Sequence, residues 1–111
     1  MTDDELWANI GRLRAWLDDA SEQPPREALL LRVLKLSEEV GEVSEAVIGA
    51  IGQNPRKGHS HTWQDVESEL CDVVVTALVA LSTVTPDARA RLSAHVAGVA
   101  ERSLGTARDT A

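Results

Sequence analysis

Residues 33–51 read VLKLSEEVGEVSEAVIGAI, and residues 66–81 read VESELCDVVVTALVAL. Both place apolar side chains three and four positions apart, the spacing that lines one face of an α-helix, and neither alternates as a half-buried strand does. At about 100° per residue, Val33, Leu36, Val43, Val47 and Ile51 gather around Val40, and Leu30, Leu34 and Ile48 widen that arc on one side. Val66, Val73, Val74, Ala77 and Leu81 gather in the same way around Leu70. Glu39 and Glu42 flank the first arc, and Glu69 and Asp72 flank the second at matching offsets. The expectation is two helices packed through Val40 and Leu70, with four carboxylates brought to one side.

Working outward, Leu6, Ile10, Leu13 and Leu17, with Trp7 and Trp16 beside them, predict a first helix from about Asp3 to Ala20. Pro24 and Pro25 close the gap before a second helix, which starts near Arg26 and stops near Ile51. Gly52, Asn54, Pro55 and Gly58 break the chain into a loop, and Thr62 with Asp65 forms a capping-box pattern for a third helix reaching Val84. Thr85 as N-cap, Pro86 at the first helical position, Asp87 in the first turn and Gly105 as C-terminal cap outline a fourth. The predicted fold class is all-α: one four-helix, bundle-like domain over residues 1–111, with a frayed tail from about 105 to 111.

A chain of 111 residues has room for one core. Hydrophobic residues at 43% and charged residues at 26% are ordinary for a globular protein and exclude a disordered or low-complexity chain. Eleven Lys and Arg against eighteen Asp and Glu give a net charge of −7, and no basic stripe exists to follow a phosphate backbone, so duplex nucleic acid is not an expected partner. The longest uncharged apolar stretch, Val73 to Val84, is too short for a bilayer. An acidic start, Met-Thr-Asp-Asp-Glu, is unlike a leader peptide, so the expected location is the cytoplasm and no membrane is implied. The single Cys71 cannot form an internal disulfide and reads as a small buried apolar side chain. From Val73 on, the third helix is apolar nearly all round, which predicts a homodimer or dimer of dimers with Val75 and Val79 in the subunit interface.

If helices two and three are antiparallel neighbours, Glu42 and Glu69 lie at one height and Glu39 and Asp72 one turn further from the loop. Four ionised carboxylates at a helix interface repel one another, and desolvation strengthens the repulsion. A hard divalent cation, Mg²⁺ or Mn²⁺, neutralises them while using carboxylate oxygen, its preferred donor. Neither pair carries the Glu-x-x-His spacing of a di-iron bundle. The alternative is a solvated acidic face with Lys35 and Glu39 as an ordinary i,i+4 pair.

The stretches KLSEEVGEVSEA (35–46) and ESELCDVVV (67–75) together resemble the signature of the MazG-like nucleotide pyrophosphohydrolases, in the all-α NTP pyrophosphatase superfamily. That pattern is Glu-Glu-x-x-Glu, a spacer, then Glu-x-x-Asp; Glu38, Glu39 and Glu42 match its first half and Glu69 and Asp72 its second. The resemblance covers about residues 28 to 82. It implies that Glu39, Glu42, Glu69 and Asp72 hold Mg²⁺ and that a nucleoside triphosphate is hydrolysed to a monophosphate and pyrophosphate, as in clearing the nucleotide pool. Glu38 is then either the group that polarises the attacking water or a solvent-exposed side chain. The chain departs from many members after Asp72, where Val73, Val74, Val75, Thr76 and Val79 replace Asn, Tyr or basic residues.

The residues themselves allow this chemistry, since carboxylates on rigid helices can hold a cation and no nucleophilic side chain is needed. The chain lacks a P-loop, a Gly-x-Ser-x-Gly elbow and any Cys/His pairing of plausible spacing. Arg56 and Lys57, in the loop GQNPRKGHSHTW (52–63), and Lys35 are candidates for triphosphate contact. Trp63 is a candidate for stacking on a base, against a favoured role in the core. His59 and His61 read as solvated loop residues. The competing function class is a non-catalytic helical homodimer, or a degenerate relative of the family, serving as an interaction module.

Overall fold

The computed structural model describes the backbone of residues 1–109, and among these it is all-helical: α1 (Asp3–Ala20), α2 (Pro25–Ile51), α3 (Trp63–Val84) and α4 (Ala88–Asp109). The first three helices lie within a residue or two of their expected bounds because local chemistry marks their ends. Thr2 and Glu5 close a capping box on α1, and Thr62 and Asp65 close one on α3. Gly52, at φ 67°, ends α2 in the left-handed conformation that a residue with a Cβ resists, and its N–H returns to the Ile48 carbonyl.

The start of α4 differs from expectation. Thr85 is taken by α3, where it adopts an extended conformation and donates its N–H to the Leu81 carbonyl. Its hydroxyl accepts from the Asp87 N–H, so Pro86 and Asp87 form a turn and the helix begins at Ala88. Gly105 is no cap either: α4 continues through it to Asp109, and its φ is not positive. The expected frayed tail is therefore helical to Asp109; residues 110 and 111 lie outside the described residues.

α2 packs chiefly on α3, α1 packs on α3, and α4 touches α3 over a short stretch. Arg32 meets Thr83 near one end of the α2–α3 pair, Glu39 meets Asp72 in the middle, and Gly49 meets His61 at the loop end. Residue numbers that rise on one helix while falling on the other make the pair antiparallel.

Three packing expectations are overturned. Val79 is only 6% exposed and forms a core cluster with Ile10 and Leu78, against which Trp7, Leu17 and Leu92 pack. At Val79 the second apolar face of α3 is thus covered by α1 within the subunit, and Val79 is not an interface residue; Val75, on the same face, is exposed. Val40 and Leu70, expected at the centre of the packed faces, are 51% and 50% exposed. Both helices are rotated from that expectation, so that α2 presents Glu39, Ala46 and Gly49 inward and α3 presents Val66 and Ala80. Cys71 is exposed rather than buried.

The result is open. The radius of gyration is 17.8 Å, where a compact chain of this length has about 13 Å. Exposed area is 8204 Å², against about 6000 Å² for a compact monomer of this mass. Among the described residues, no single helix is long and apolar enough to cross a membrane.

Candidate metal centre

Rotation of α2 carries Glu39 into the helix interface, where the residue is only 8% exposed. Across from it, α3 supplies Glu69, half-buried, and Asp72, exposed. One carboxylate oxygen from each of these three residues lies within 4.8 Å of the others. Neighbouring oxygens on a Mg²⁺ ion stand about 3 Å apart and opposite ones about 4 Å, so Glu39, Glu69 and Asp72 would have to draw together by side-chain rotation to share one cation.

Glu42 stands beside this group, one turn along α2. Its pKa is raised, first by the negative charge of Glu39, then by a side-chain hydrogen bond with Glu69, partial desolvation and the charge of Glu69; Lys35 opposes the shift. The negative charges of this cluster therefore oppose one another, and a cation would relieve that opposition. Glu69 Oε2 is nevertheless buried with no hydrogen-bond partner. A buried acceptor without a donor carries an uncompensated desolvation cost, and a cation would remove it. The donor set, all carboxylate oxygen, fits Mg²⁺ or Mn²⁺.

The remaining candidates fall in different places. Lys35 Nζ lies 3.4 Å from Glu39 Oε1 and 3.8 Å from Glu38 Oε2, so the i,i+4 pair with Glu39 does form. Glu38 is exposed and reaches outward to Lys35. Arg56 and Lys57 stay exposed in the loop, and neither forms an ion pair among the described residues; Asn54 Oδ1 accepts from the Arg56 N–H at 3.0 Å. Trp63 is 58% exposed at the first position of α3 and is not core.

The two loop histidines are more structural than expected. The His61 and Ser60 side chains occupy the space a Cβ on Gly49 would need, and the His59 ring lies against Gly52 while its Nδ1 meets the Ala50 carbonyl at 3.1 Å. Glycines at 49 and 52 thus let the loop fold back on α2, about two to three turns beyond Glu42. A Gly-x-x-Gly spacing near the end of a helix, followed by two histidines, is the signal that carried this packing.

A polar group absent from the sequence reading joins α1, α2 and α3. Arg32 Nη1 lies 2.7 Å from Asp18 Oδ1 and donates to Thr83 Oγ1 at 3.2 Å, and Arg14 Nε lies 3.5 Å from Asp18 Oδ2. Arg32 precedes Glu39 by two helical turns and shares its face, which is the one hint the sequence holds.

No family model matches the chain, and no curated protein or solved structure matches it.

Proposed function

We propose that this protein is a divalent-metal-dependent nucleoside triphosphate pyrophosphohydrolase of MazG-like type, acting as an oligomer. The observation that carries the reading is the meeting of Glu39, Glu69 and Asp72 oxygens within 4.8 Å at a helix interface that also leaves Glu69 Oε2 without a partner. Glu39, Glu69 and Asp72 would hold Mg²⁺ or Mn²⁺, with Glu42 joining once its charge is no longer opposed. The cation would neutralise charge on the phosphates and make water a stronger nucleophile. The helices contribute rigidity: Glu39 is fixed by burial, and Lys35 orients it from the next turn. Lys35, which pairs with Glu39, and Arg56 and Lys57, exposed in the loop between α2 and α3, are the candidates for triphosphate oxygens. Glu38, exposed beside Lys35, and Trp63, exposed at the start of α3, are accessible for contacts with water and base respectively.

Association is part of the proposal. An excess of about 2000 Å² over a compact monomer exceeds the roughly 800 Å² that each partner buries in a standard interface. Leu30, Val33, Leu34, Val40, Leu70 and Val74 make an exposed apolar face on α2 and α3 for a second copy to cover. A panel of nucleoside and deoxynucleoside triphosphates with Mg²⁺, scored for pyrophosphate against phosphate release, tests the function. Pyrophosphate with an equimolar monophosphate supports it; phosphate with a diphosphate, or no turnover with any nucleotide, refutes it.

A further inference from the structure

On a chain of net charge −7, three arginines line one cavity of about 520 Å³ between the end of α1, the start of α2 and the end of α3. They are Arg14, Arg26 and Arg32, and the one carboxylate lining it is Asp18. Asp18 engages Arg32 at 2.7 Å and Arg14 at 3.5 Å, so three positive charges face one negative. Arg26 forms no ion pair among the described residues, and the buried Arg14 Nε has Asp18 Oδ2 at 3.5 Å but makes no hydrogen bond to it. A second cavity, of about 440 Å³, shares Arg14 and Asp18 and adds Arg89.

Like charges held together at the edge of a cavity repel, and a guanidinium N–H removed from water without a hydrogen bond is costly. Both features are relieved by an anion. The N-terminus of α2, which no side chain caps, opens on the same cavity through Pro25 and Arg26, and its dipole favours negative charge. The Ser21 hydroxyl, which accepts from the Gln23 N–H, keeps its own hydrogen to donate. Guanidinium forks arriving from two helices suit a tetrahedral, multiply charged oxyanion better than one planar carboxylate, which a single fork satisfies.

We infer that the cavity bounded by Arg14, Arg26 and Arg32 is an anion site for a phosphoryl group, separate from the carboxylate cluster. Arg32 and Glu39 are seven residues apart on α2, about 10 Å along its axis, so the two sites are distinct. The source of the phosphoryl group is either an inorganic anion or the phosphate end of a nucleotide. The inference stands independently of the hydrolase reading, because it requires no metal.

Calorimetric titration in excess chelator tests it, with inorganic phosphate, pyrophosphate and a nucleoside monophosphate as probes. Chelator removes any cation bridge at the carboxylates. At least one probe is expected to bind one-to-one, and the tightest of the three identifies the source. Arg26→Gln, at an exposed position, and Arg14→Gln should each weaken binding about tenfold, as expected for one charge-assisted contact. Arg91→Gln, exposed on α4 outside the cavity, should leave it unchanged. Absence of binding by all three probes at millimolar concentration overturns the site. So does an equal loss in Arg26→Gln and Arg91→Gln, which would show diffuse attraction.

Discussion

Lys35 Nζ lies 3.4 Å from Glu39 Oε1, placing one ammonium against the buried member of a cluster of acids. One ammonium cannot offset Glu39, Glu42, Glu69 and Asp72 together. The imbalance shows in the raised pKa of Glu42 and in the unpartnered Glu69 Oε2, and it makes charge the variable to perturb.

Glu42→Gln should raise the melting temperature of the metal-free protein at pH 7, since it removes a charge repelled first by Glu39. The same variant should respond less to Mg²⁺ and lose metal-dependent hydrolysis. Thermal denaturation with chelator and then with Mg²⁺ measures both. A lower melting temperature in chelator would show that Glu42 is held by attraction.

Val79 and Val40 should behave oppositely. Val79→Ala opens the cluster with Ile10 and Leu78 and should cost about 2 kcal/mol, two methyl groups and part of a cavity. Val40→Asp, at a half-exposed position, should leave helix content intact and shift sedimentation toward the monomer. Urea denaturation and analytical ultracentrifugation check the pair; an unchanged oligomer in Val40→Asp would move the interface elsewhere.

These two valines also show what the sequence could and could not reveal. The span of α1 is legible in the spacing of Leu6, Ile10, Leu13 and Leu17, and the end of α2 and start of α3 because Gly52 and Thr62 act through bonds to residues three or four away. The convergence of Glu39, Glu69 and Asp72 was legible because a helix face is set by residue spacing. Rotation of the helices was not. Apolar residues lie on more than one side of α2 and α3, and which side is inward depends on α1 reaching Val79 through Ile10, a contact between distant residues. The start of α4 was missed because Thr85 is an equally good residue for closing α3.

Asp65 gives the fold a pH signature. Backbone and hydroxyl hydrogen bonds from Thr62 hold its carboxyl below the ordinary value of 3.8. A depressed folded-state pKa contributes stability that is present above the unfolded value and lost as pH falls through the folded one. The wild type should therefore lose stability below about pH 4 more steeply than Asp65→Asn, which keeps the cap geometry without the charge. Thr62→Ala should cost about 1 kcal/mol at neutral pH. Circular dichroism melts between pH 2 and 7 measure both; parallel acid limbs in wild type and Asp65→Asn would contradict the assignment.

Gly49→Ala should destabilise the protein by about 1–3 kcal/mol, since its Cβ meets the His61 and Ser60 side chains. His61→Ala should rescue much of that loss. Double-mutant thermal denaturation reads the coupling, and additive losses would mean the loop does not rest on α2 as described.

The carboxylates between α2 and α3 should bind a divalent cation, and a Mn²⁺ titration followed by electron paramagnetic resonance reads that binding. Addition of protein should remove the signal of free aqueous Mn²⁺ in a saturable way, with Mg²⁺ restoring it by competition, and Asp72→Asn should abolish the effect without loss of helix content. A free Mn²⁺ signal unchanged by the wild-type protein, or bound equally by Asp72→Asn, would contradict the site and with it the proposed chemistry.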